Sequence, residues 1–168
     1  MSLRNKNKIY VITAIIICAG VLVLFVWSLR ASAPTSGTPA LTSENSKVLD
    51  NFKTIQIGAA TIHAELATTQ AEQIQGLSGR TFLSTSTGMF FVFNRSSNWG
   101  IWMKDMNFSI DVLWIADDMK VSDIVENMSP ASYPTAYKPH VPARYVLEVP
   151  AGTVKSGGIT VGQNVVLK

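Results

Sequence analysis

The chain has 168 residues, room for one domain with accessories, and carries fourteen Lys and Arg against eleven Asp and Glu, a formal charge of +3. Arg4, Lys6, Lys8 and Arg30 account for all of the excess, because residues 31–168 hold ten basic and eleven acidic side chains. The basic patch that a nucleic-acid-binding domain needs is therefore missing from the sequence after residue 30. With Cys18 as the single cysteine, a disulfide scaffold, a thiol nucleophile and a cysteine-based zinc site are excluded there too.

Ile9 to Leu29 is apolar apart from Thr13 and Ser28. At about 1.5 Å per helical residue, a run of this length crosses a hydrocarbon core of about 30 Å. Arg4, Lys6 and Lys8 precede it, so residues 1–8 are expected in the cytoplasm, 9–29 in the cytoplasmic membrane as a single-pass anchor, and the rest outside. A cleaved signal peptide, and hence secretion, is the alternative. Ala31-Ser32-Ala33 offers small residues at suitable spacing, but Pro34 would follow the cut. Residues 30–48 are rich in Ser, Thr, Pro, Ala and Gly and read as a flexible linker. The outer domain is expected to span 49–168.

Within it, Phe52–Ile57 and Thr61–Leu66 flank Gly58-Ala59-Ala60 as a hairpin. Thr69 reads as the N-cap of a helix of about two turns from Gln70, with Glu72 at its positive end and a stop by Gly76 or Gly79. Gly88 to Ile115 packs three of the four tryptophans and four of the seven phenylalanines around Lys104, Asp105 and Asp111. Large aromatics are the main apolar payload of a core, so the central strands are expected here, at Met89–Phe93, Trp99–Met103 and Asp111–Ile115. Asp117-Asp118 turns into a strand over Lys120–Asn127, and Ser129–Pro142, with four prolines, reads as an extended surface loop. Tyr145–Val149, a turn or short helix after Pro150, and Gln163–Leu167 complete the chain. The fold class is mainly β: a compact barrel- or clam-like sheet with one or two short helices, preceded by the transmembrane helix.

Five blocks in order carry a family resemblance. They are Gly76-Leu77, Gly79-Arg80 and Leu83 leading to Gly88–Phe93; Trp102-Met103-Lys104-Asp105; Ile110–Leu113; Tyr145–Gly152; and Gly158-Ile159 through Gly162. Over about residues 52–168 the chain resembles the family known as domain of unknown function 192, widespread in bacteria and archaea and often secreted or membrane-anchored. It departs from the family pattern at Asp105-Met106, usually Asn-Thr, at Ser109, usually Pro, and at Gln163, usually Asp. The resemblance implies fold and location, and no established activity.

The residues themselves suggest a binding surface made of Arg80, Trp99, Trp102, Lys104, Asp105 and Asp111, where charged groups beside aromatics would recognise a ligand. The structural alternative pairs Lys104 with Asp111, or has Asp111 bond backbone amides in a turn. By alternation Glu148 faces opposite to Tyr145, Leu147 and Val149, and an ion pair with Arg80 is its expected structural role. No catalytic residue, metal site or cofactor is assigned. His63 and His140 lack an activated serine motif, and no glycine-rich loop has phosphate-cradle spacing. The reading is a non-enzymatic, membrane-held module outside the cytoplasm that binds an envelope polysaccharide or a small polar molecule, with no nucleic-acid partner. One alternative is an envelope-acting hydrolase using Asp105 or Glu148, since glycoside hydrolysis uses two carboxyls. The other is an accessory protein that docks an envelope partner through the Pro-rich loop.

Overall fold

Residues 51–168 are described in the computed structural model; the expected anchor at 9–29 and linker at 30–48 lie outside them. The expected hairpin forms from β1 (Phe52–Ile57) and β2 (Ala60–Ala67), joined by the Gly58-Ala59 turn, where Gly58 takes a positive φ of 56°. Helix α1 (Gln70–Gln75) starts where the cap signal places it. Thr69 accepts from the Glu72 amide, and the Glu72 carboxylate accepts from the Thr68 and Thr69 amides, a complete capping box. The helix buries no side chain. Instead Gln73 Nε2 donates to the carbonyls of Ala67 and Val92, which fastens α1 to the sheet by its amide.

After α1 the chain runs through β3 (Thr87–Ser97), β4 (Ile101–Trp102), β5 (Ile110–Ile115) and β6 (Val121–Met128), then a 3-10 turn at Pro130–Ser132 and β7 (Ala136–Tyr137). It ends with β8 (Ala143–Pro150), α2 (Thr153–Gly157) and β9 (Val165–Leu167). The seven-stranded sheet has the order β6-β5-β8-β3-β2-β1-β9, and β2 and β3 are parallel neighbours across the α1 crossover. The sheet curls into a half-barrel. Its edges meet at one end, where Lys120 bridges Asn164 and Val121 exchanges backbone bonds with Gly162 and Gln163.

Both sheet faces are covered, which explains why β5 is buried at all six positions. All seven strands, with Val154 and Ile159, contribute to a core inside the curl around Phe90, Leu113 and Leu147. A second core on the outer face gathers Met89, Phe91, Ile110, Val112, Trp114 and Val146 under Leu77, Ile101 and Met103. The segment Trp99–Met103, expected as a central strand, is strand only at Ile101–Trp102 and pairs with β7 in a separate two-stranded ribbon. The physical reason is burial, because Ile101 and Met103 turn inward to roof the outer core, and the chain leaves the sheet to bring them there. The Pro-rich loop is likewise structured, since Asp123 accepts from both the backbone amide and the ring of His140.

Close approach of strands sets one position. A Cβ at Gly88 would lie 2.6 Å from the carbonyl oxygen of Glu148 and 3.2 Å from Val149 Cγ1. The obstacle is backbone, so β3 and β8 must part to admit it. Gly88→Ala is expected to cost about 2–3 kcal/mol in denaturant unfolding; an unchanged midpoint would mean that the β3–β8 spacing is not fixed there.

Candidate functional site

On the outer face a narrow cleft of about 50 Å³ opens between α1 with its following turn and the ribbon residues Gly100–Trp102. Phe91, Ile110 and Glu148 form its floor, and Ile74, Ser78, Trp102 and Met106 stand around it. Strand alternation puts Glu148 there: its neighbours Leu147 and Val149 enter the inner core, while Glu148 points outward beside Met89 of β3 and Val112 of β5, its partners in register.

Glu148 is 5% exposed and makes no hydrogen bond to any described residue, yet it lines the cleft. Burial pushes its carboxyl up from the ordinary 4.5 to about 8, and the charge of Arg80 offsets part of that rise. At neutral pH the group therefore holds its proton. The expected Arg80–Glu148 ion pair does not form: Arg80 Nη2 lies 2.6 Å from Glu65 on β2. Both of those side chains keep contact with water, so pairing them avoids the desolvation that drawing a guanidinium down to Glu148 would require.

The other expected site residues separate. Trp102 is 49% exposed at the cleft, its ring edge-on to Tyr133. Trp99 belongs elsewhere. Its ring stacks on Phe93 at 4.2 Å beneath the Arg95 guanidinium, its Nε1 donates to the Arg95 carbonyl, and it lines a second, open groove with Arg95 and Arg144. Lys104 and Asp105 pair with each other at 3.4 Å on the surface. Their carbonyls accept from Ser78 Oγ and the Gly79 amide, which fastens the ribbon's turn to the turn after α1. Asp105 takes φ 55°, a left-handed conformation that Asp tolerates as Asn does, so the departure from the family's usual Asn leaves the turn intact.

Asp111 is fully buried and its oxygens accept the amides of Asn127 and Val154, so it is neither Lys104's partner nor on the cleft. Gln163, where the family usually has Asp, caps its own turn by accepting from the Thr160 amide and donating to the Gly158 carbonyl. Sequence reasoning leaves Gln73, Ile74 and Gln75 out of the site because a two-turn polar helix gives no sign of what it overhangs. An acid inside a strand apolar on both faces is the available signal for Glu148.

Fold and cleft together define a small β-rich half-barrel domain with one buried carboxyl beneath a helix and a ribbon. The chain belongs to the DUF192 family, "Uncharacterized ACR", which it matches over residues 53–167. It is similar to a crystal structure from Sinorhizobium meliloti 1021, a protein provisionally described as a transcription regulator. That likeness has 30% identity and a TM-score of 0.65, covering 69% of this chain and 93% of the other. A protein of unknown function from Novosphingobium aromaticivorans DSM 12444 is similar at 28% identity and a TM-score of 0.65, covering 68% and 84%. No curated protein matches the chain.

Proposed function

We propose that the chain is a non-enzymatic binding module, held at the outer side of the cytoplasmic membrane by residues 9–29, that takes an envelope polysaccharide or small polar ligand in the Glu148–Trp102 cleft. The observation that carries this reading is a carboxyl, 5% exposed and hydrogen-bonded to no described residue, at the floor of an aromatic-walled cleft. A carboxyl so nearly desolvated weakens the domain unless something entering the cleft hydrogen-bonds it, and the cleft gives a ligand that access. Trp102, half exposed on a fixed ribbon, supplies a flat apolar contact beside it. The apolar run 9–29 and its basic flank support the outward placement. The regulator description of the S. meliloti protein does not transfer readily, since residues 31–168 are close to charge-balanced.

One feature favours a hydrolase as the second reading: Glu148 protonated at neutral pH is the state a general acid needs. Against it, Asp105 is on the surface with Lys104 and Asp111 is engaged by two backbone amides, which leaves no second carboxyl among the described residues on the cleft floor. Docking of an envelope protein on the Pro-rich loop would leave the cleft without a use.

A thermal-shift panel of neutral and amino-substituted envelope oligosaccharides on the full chain tests the proposal. A ligand at 100 times its dissociation constant adds about 2.7 kcal/mol. Trp102→Ala is expected to weaken such a hit about tenfold without unfolding the domain. A hit indifferent to both Trp102→Ala and Glu148→Gln would move the site away from this cleft, and turnover that dies in Glu148→Gln would establish the hydrolase. A periplasmic reporter fused after residue 48, if inactive, would overturn the outward placement.

A further inference from the structure

The hydrogen-bonding groups around the cleft are lopsided. Gln73 has both amide hydrogens engaged, on the carbonyls of Ala67 and Val92, and Gln75 Nε2 donates to the Ser78 carbonyl. Ser78 Oγ donates to the Lys104 carbonyl. Most side-chain donors are thus committed to the protein, Trp102 Nε1 and one Gln75 amide hydrogen excepted, whereas Gln73 Oε1, Gln75 Oε1 and the Glu148 carboxyl have no partner among the described residues. The remaining walls are apolar or aromatic: Phe91, Trp102, Met106 and Ile110. A lining with free acceptors and few free donors suits a ligand rich in donors. No cationic side chain among the described residues lines the cleft.

We propose that the group this cleft takes is a primary ammonium, presented on a small molecule or an amino-bearing glycan, with Glu148 as its counter-ion. The inference rests on the binding reading above and names its ligand class. An ammonium brings three donors, no acceptor and the charge opposite to the Glu148 carboxylate on the cleft floor, whereas a hydroxyl brings a single donor and no charge. The aromatic and thioether walls add attraction for a cation that they do not offer a neutral alcohol. A volume of about 50 Å³ admits one such small group and leaves its carrier outside against Trp102 and Ile74.

Charge balance follows. In the free cleft at neutral pH Glu148 keeps its proton. On binding, its O–H bond breaks, the proton passes to the buffer, and the carboxylate pairs with the ammonium; no covalent bond forms. The β3, β5 and β8 neighbours on this face, Met89, Phe91, Ile110, Val112 and Val146, bring no titratable group. The charged residues nearby are Arg80, paired with Glu65 yet still favouring the Glu148 carboxylate, and Lys104, paired with Asp105 on the turn beside the cleft. Glu72 is held at the far, N-terminal end of α1 by its cap bonds.

Protonated ethanolamine and ethylene glycol are a suitable pair of probes, because they differ only in an ammonium for a hydroxyl. The full chain is titrated with each, followed by tryptophan fluorescence, with calorimetry in two buffers of different ionisation enthalpy. The expected result is a preference of about tenfold or more for ethanolamine and about one proton released per molecule bound near pH 7. Its affinity should rise as pH approaches 8, and Glu148→Gln should erase the preference. Equal affinities, or binding without proton release, would overturn the ammonium assignment while leaving the cleft a binding site. Failure of both probes to bind would overturn it together with the reading on which it rests.

Discussion

Glu148→Gln is expected to make the domain more stable than the wild type at pH 8, and to remove most of the pH dependence between 5 and 8. The sign follows from the protons held in each state. In the unfolded chain the carboxyl titrates near 4.5, and in the fold burial moves it to about 8. Between those values the native state binds more protons than the unfolded one, so stability falls as pH rises through the interval. Below 4.5 both states hold the proton and the penalty vanishes; above 8 both are ionised and the full penalty is present. At about 1.36 kcal/mol per pH unit, the interval from 4.5 to about 8 sets an upper bound on the order of 5 kcal/mol. Water entering from the cleft mouth lowers it, and about 2–3 kcal/mol is the expected gain for the glutamine variant at pH 8. Glutamine keeps the shape and removes the charge, so packing against Phe91 and Ile110 is retained. Guanidinium unfolding of both proteins at pH 5 and pH 8.5 decides it. Parallel loss of stability in the two would show that Glu148 is already ionised at neutral pH, and the proton release expected with an ammonium ligand would go with it.

How much of this is legible in the sequence depends on how local each signal is. The α1 cap is readable because Thr69 and Glu72 are three residues apart and satisfy one another. The outward direction of Glu148 is readable because alternation needs nothing beyond its own strand. The partner of Arg80 is not: Glu65 reaches it through the parallel β2–β3 crossover, a neighbourhood that no short window contains. Strand alternation puts Trp99 and Trp102, three residues apart, on opposite faces, but periodicity applies only while the backbone stays extended, and here the strand lasts two residues. One tryptophan therefore closes under Arg95 and the other rims the cleft. Asp111 reads as a residue that bonds amides in a turn. It does bond amides, but their donors lie 16 and 43 residues further along, so a local reading becomes a long-range tie.

That tie is the basis of the second large effect. Asp111→Ala is expected to destabilise the domain by about 2–4 kcal/mol, since it leaves the buried Val154 N–H and the part-buried Asn127 N–H without their acceptor. The two donors belong to different parts of the fold. Asn127 sits in β6 with φ 51°, a left-handed conformation that Asn tolerates, and its amide is held by Asp111. Val154 opens α2, whose N-cap is Gly152 and offers no side chain, so the helix borrows its cap from β5. Loss of the carboxyl frees both at once and loosens Val154 and Ile159 from the inner core. Asp111→Asn retains one acceptor oxygen but turns a donor toward the other amide, and should cost about 1–3 kcal/mol. Hydrogen exchange at the Asn127 and Val154 amides should accelerate in both variants. Lys104→Ala, which removes a surface contact to Asp105, should leave the unfolding midpoint where it was. Equal destabilisation by Lys104→Ala and Asp111→Ala would instead restore the pairing that the geometry separates. If Asp111→Ala alone unfolds the domain, Asp111 is the clasp between β5, β6 and α2, and any ligand effect of that variant reports lost structure rather than a lost contact.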